Sequence, residues 1–258
     1  MALLIVVGPA LAAGIDQTAK VTEAVNEVKY GPERSTEAHP AKTGTLLHDG
    51  EYVKTGKESR AELLLPSTSV TRLGANTIFN YSLATNEIDL QAGTILFCKP
   101  KDAKQQLNIK TAAVTAGIVG TTGFVQVTGQ GSNKSYVFGL IEGKANAQAD
   151  GKTFPIHGGQ ILKFTPGSAP QIFAFDIPKM VDTSPLLHGF KGHLPNQKYI
   201  DEAVNNYLDD EHRGFTQTSS VPTTNGVINI PGITIPAVDS AQNAQSHNPP
   251  PPASRYSP

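Results

Sequence analysis

"AELLLPSTSVTRLGANTIF", Ala61 to Phe79, decides the fold. Leu63 to Leu65 form a short apolar run, and Pro66 to Ser69 break it with turn chemistry. Val70 resumes the run, and Gly74 to Asn76 break it again. Two short apolar runs around a polar turn predict adjacent strands and not a helix. Arg72 is the anomaly. In an alternating strand it shares a face with Val70, while Leu73 shares the other with Thr71. A charge on a mostly buried face must be paired and hydrogen-bonded, because an unpaired one costs several kcal/mol. Glu62, ten residues back, is the nearest candidate partner.

Outward from this stretch the pattern repeats. Between Thr45 and Phe175, runs such as "NEIDLQAGTILFC", "TGFVQVTG", "SYVFGLIEG" and "GGQILKF" are each bounded by Gly, Pro, Asn, Asp or Ser. This spacing predicts an all-β core: an antiparallel β-sandwich or β-roll, with a short β-solenoid as the alternative. Val21 to Tyr30 fits either a helix face or two short strands broken at Asn26. Within "NQKYIDEAVNNYLDDEHRG", Ile200, Ala203, Val204, Tyr207 and Leu208 make one apolar stripe, which predicts an amphipathic helix. Asn196 is its expected N-cap and Gly214 its stop. Asp209, Asp210 and Glu211 sit unfavourably at the negative end of its dipole.

The expected organisation is a signal peptide over 1–13, a β domain over 20–175, a helical appendix over 176–213 and a Pro-rich disordered tail over 214–258. The signal reading rests on an uncharged apolar start ending in "ALAAG", too short for the roughly 20 residues a bilayer span needs. It predicts export, and no other stretch is apolar enough to span a membrane. In the tail, "VINIPGITIPAV" is apolar enough to dock as a strand.

Little chemistry is visible. The net charge of −1, with no dense Lys/Arg cluster, argues against nucleic acid. Cys98 lies in an apolar run and reads as a small buried hydrophobe. "GQGSNK", from Gly129, lacks the third glycine of a dinucleotide fingerprint and reads as a hairpin loop. His188 and His193 do not share a helix face, and no metal set, cofactor or catalytic residue is expected.

The stretch from Tyr52 to Phe124 resembles the FecR domain family of bacterial extracytoplasmic proteins. Thr55, Gly56, Ser59, Arg60, Ala61, Glu62 and Leu63 match its first block, and Arg72, Leu73, Gly74 and Asn76 its second. Leu90, Gly93, Thr94 and Ile95 match the third, and Thr111, Gly120, Thr121 and Phe124 the last, with Gly123 an added glycine. "PSTSV" departs from the family's "LPDGSV" turn, which must here be built without glycine. The namesake regulators also carry an anti-sigma segment and a membrane span, which this sequence does not match, so their signalling role is not carried over. The resemblance implies a non-enzymatic, exported bacterial module whose partner is another envelope protein. A cell-wall or polysaccharide-binding module is the alternative, and an enzyme whose site is not visible in the sequence a remote one. The motif residues are expected to be structural, Gly120 and Gly123 through backbone conformation or close strand approach. Arg60 and Arg72 have a second reading, as a ligand clamp.

Overall fold

The computed structural model describes residues 18–33 and 37–213, and the backbone of 227–230 and 233–236. The expected signal peptide, and the tail apart from those two strands, lie outside the described residues.

Residues 18–175 fold into seventeen strands that form one open hydrogen-bonded system in two layers. In chain order they are β1 Ala19–Val25, β2 Val28–Pro32, β3 His39–Pro40, β4 Leu46–Leu47, β5 Glu51–Thr55, β6 Arg60–Leu64, β7 Val70–Leu73 and β8 Ile78–Ser82. Then follow β9 Glu87–Cys98, β10 Leu107–Lys110, β11 Val114–Ile118, β12 Thr122–Thr128, β13 Ser135–Glu142, β14 Lys144–Ala149, β15 Lys152–His157, β16 Gln160–Phe164 and β17 Gln171–Ala174. The central sheet runs β4-β1-β6-β7-β9-β12-β13-β16-β17. The outer sheet runs β3-β2-β5-β8-β9-β10-β11-β14-β15. Every pairing is antiparallel except β9 with β10. A solenoid would stack parallel coils, so the sandwich reading is the one that holds.

β9 belongs to both sheets. Its first half pairs with β8 in the outer sheet, and from Gly93 onward it pairs with β12, and from Ile95 with β7, in the central sheet. The switch falls at Gly93, whose φ is +88°, and a Cβ there would lie 2.4 Å from Thr77 Cα. Only glycine fits that bend.

One apolar core, including Val53, Phe79, Leu90, Ile95, Phe97 and Phe138, lies between the sheets. A second covers the far face of the central sheet with three helices: α1 Ile177–Thr183, α2 Pro185–His188 and α3 Gln197–His212. Phe124 and Phe175 meet edge to face in it, 5.7 Å apart. Burial on both faces explains why the central strands read as continuous apolar runs. The outer sheet's β14 alternates strictly instead, exposed and buried by turns.

The ambiguous Val21 to Tyr30 stretch is two strands, turned at Asn26 with φ +60°. Val227–Ile230 and Ile233–Pro236 in the tail pair with each other, not with the sandwich. The "PSTSV" turn closes through Leu65 N–H to Ser69 O and Thr68 N–H to Leu65 O. Thr68, exposed and β-branched, takes φ +60° where the family pattern has glycine. Thr68→Gly is therefore expected to stabilise the protein by about 0.5–1 kcal/mol, read as a raised denaturant midpoint. An unchanged or lower midpoint would show that the turn carries no strain.

Candidate functional site

Three groups of polar residues converge on the central sheet. The first is a column at the corner between the sheets. Thr55 Oγ1 donates to Gly74 O (2.6 Å) and accepts from Thr77 N–H (2.9 Å). Thr77 Oγ1 donates to Thr94 O and accepts from Thr94 N–H, both at 3.1 Å, and Gln126 Nε2 donates to Thr94 Oγ1. Asn76, with φ +53°, donates its N–H to Gly56 O. Ser59 Oγ, next along, accepts from Glu27 N–H. Ala61, Leu63 and Leu73 fill the core beside this column. Thr121 Oγ1 bonds Val119 O and Lys144 O, while Gly120 has φ +63° and Gly123 lies against Gly139 of β13.

The second group surrounds Arg72, whose side chain is fully buried on the helix-covered face. Its Nε donates to Glu62 Oε2 at 2.8 Å. Nη1 donates to the carbonyls of Leu186 (2.9 Å) and Leu187 (3.1 Å), and Nη2 to Gly192 O (2.5 Å). Phe190 covers the guanidinium at 4.7 Å, a cation–π contact. Thr22 Oγ1 adds a hydrogen bond to Glu62. Arg72 thus ties α2 and the loop after it to the sheet, with all three guanidinium nitrogens hydrogen-bonded to protein. Arg60 lies over the same Phe190 ring. It is half-buried, 5.5 Å from the ring centroid, with its Nε buried and without a hydrogen bond.

The third group lies where α3 crosses the end of the central sheet. Asn196 sits at the N-cap position, but its side chain caps nothing. It turns inward and donates to Lys99 O (2.8 Å), Glu142 Oε1 (3.0 Å) and Thr122 Oγ1 (3.2 Å). Lys101 Nζ reaches Glu142 Oε2 at 2.9 Å and lies 4.2 Å over the Tyr199 ring. Beside them is a cleft of about 320 Å3, walled by Ile141, Phe175, Ile177 and Tyr207, with Glu202, Asp210 and Glu211 at its mouth. Burial first, then the charges of Asp176 and Glu211, raise the Tyr207 hydroxyl pKa. Neither Asn196 nor this cleft was legible as a site; a buried Asn after an apolar residue reads as a cap. Leu208, placed on the docking stripe by its spacing, is partly exposed.

Cys98 is fully buried, and burial pushes its thiol up to about 11 despite the hydrogen bond from Thr122 Oγ1. The unfolded thiol ionises earlier, near 9.0. Its contribution to stability is therefore intact below that value and eroded as pH rises toward 11. Cys98→Ala is expected to flatten the alkaline fall in urea midpoints, and parallel curves for variant and wild type would refute this. Among the described residues no His, Cys, Asp or Glu group is placed to hold a metal ion, and no helix is long and apolar enough to cross a membrane.

Residues 51–146 match the family model described as FecR protein. No curated protein sequence matches the chain. Two crystal structures, each of a protein described as an anti-sigma factor from Parabacteroides distasonis, are similar. The first, at 12% identity and a TM-score of 0.43, covers 48% of this chain and 59% of its own. The second, at 10% identity and a TM-score of 0.43, covers 63% and 91%. The chain thus spans under two thirds of the first.

Proposed function

Because residues 51–146 match the FecR protein family model, we propose that the protein is an exported, non-enzymatic module that binds another protein in the bacterial cell envelope. One observation carries this reading. The residues that make the family pattern are engaged with one another or with the appendix, as corner threonines, bend glycines and the Arg72 clasp. That engagement supports a scaffold role for the motif and leaves recognition to the surfaces around it.

Edges are the natural surfaces. β15 carries Pro155, β3 ends in Pro40, and β4 is two residues long, which are the usual ways of blunting an edge. β17 has no proline and pairs only with β16 among the described strands, and its Ile172 is exposed. A partner strand can add along Gln171–Phe173, Ala174 already having a partner of its own.

A second reading, a cell-wall polysaccharide module, is favoured by exposed polar side chains on the outer sheet. Thr115 lies beside Gln148, and Asn108 and Asn146 flank Gly117. The lack of Trp weighs against sugar stacking. Crosslinking in envelope extract, run beside co-sedimentation with isolated cell wall, separates the two. Specific protein adducts without wall binding are expected, and wall binding without adducts would reverse the order. Export predicts a mature N-terminus after Ala12 or Ala13, read by N-terminal sequencing, and an intact Met1 in the cytoplasm would refute it.

A further inference from the structure

The cleft beside α3 combines features that select one kind of ligand. Part of its wall, made by Ile141, Phe175, Ile177 and Tyr207, is apolar or aromatic and suits an alkyl or aryl body. Its lining carries four carboxylates (Glu142, Glu202, Asp210 and Glu211) against one ammonium, that of Lys101. Lys101 shows how a cation rests here, its charge over the Tyr199 face and against Glu142. The C-terminal end of α3 adds its own negative field at the mouth. Asp210 and Glu211 are unfavourable for the helix at that place, a local rule broken next to a cavity.

Other ligand classes fit poorly. An anion is repelled by the mouth. A bare metal ion needs converging carboxylates, which the described residues do not supply. A neutral sugar gains nothing from the charge. An alkyl chain ending in a cation satisfies both wall and mouth.

We propose that the cleft receives a lysine or arginine side chain of the partner protein, its stem along the apolar wall and its charge among Glu202, Asp210 and Glu211. This rests on the protein-binding reading and names the partner's chemistry.

The test uses the full chain and fluorescein-labelled hexalysine, followed by fluorescence anisotropy. Asp210→Asn/Glu211→Gln is expected to weaken binding roughly tenfold, as two lost charge pairs would. Asp201→Asn/Asp209→Asn removes the same charge from α3 away from the cleft, and is expected to stay within about twofold. The first pair should also melt no lower than wild type, since it removes acids from a helix C-terminus, so weakened binding cannot be traced to unfolding. Equal weakening by both pairs, or unchanged binding in the first, overturns the cleft. The same variants are then crosslinked in envelope extract. A protein adduct lost only in Asp210→Asn/Glu211→Gln supports the proposal. An adduct kept by it overturns the cleft and leaves the protein-binding reading intact. Hexalysine discrimination without any wild-type adduct leaves the cation site standing and removes the protein partner.

Discussion

Arg72→Ala is expected to destabilise the protein by about 3–5 kcal/mol, a large share of a typical domain's whole stability. The loss comes from what remains behind. Glu62 would keep a buried carboxylate with only Thr22 to serve it, and the carbonyls of Leu186, Leu187 and Gly192 would lose their donor. Arg72→Met preserves the stem packing but strands the same acceptors, so it should fall close to the alanine variant. Arg72→Met/Glu62→Leu removes both charges and should recover part of the loss, giving a clear coupling in a double-mutant cycle. Guanidinium denaturation of the four proteins reads this directly. A loss below about 1 kcal/mol for Arg72→Ala would mean that the clasp contributes little and would favour the ligand-clamp role.

Gly123→Val is expected to cost about 3 kcal/mol or more. A Cβ at Gly123 would stand 2.3 Å from Gly139 O and 2.7 Å from Phe97 Cζ, and neither backbone nor buried ring can yield cheaply. Gly131 is the control, because its φ is +55° but open space surrounds it. Gly131→Ala should therefore cost only about 1 kcal/mol, the price of backbone conformation alone. Equal denaturant midpoints for the two variants would refute the steric account.

How much of this was legible depends on the range of the interaction. Strand runs and turns are local, and the sequence showed them from Thr45 to Phe175. Even the glycine-less turn was readable at "PSTSV", though not that Thr68 would take the glycine conformation. The Glu62–Arg72 pair was readable because antiparallel neighbours on one hairpin face each other. Three of Arg72's acceptors lie 114 to 120 residues away, and they are main-chain carbonyls, which carry no side-chain signature. Asn196 was placed correctly at the head of α3 but given the wrong partner, since the capping rule counts only local N–H groups. The cleft needs α3 laid across two glycine turns, Glu142–Gly143 and Gly158–Gly159, which no one-dimensional pattern encodes.

The bend of β9 at Gly93 bears on how the protein comes apart. With one strand serving as rung in both ladders, neither sheet can complete its hydrogen bonds while the other is absent. Loss of either layer exposes the core that the other needs. The sandwich should melt in a single all-or-none step, with calorimetric and van't Hoff enthalpies agreeing. A chain cleaved in the loop between β9 and β10 should yield fragments that fold only when mixed.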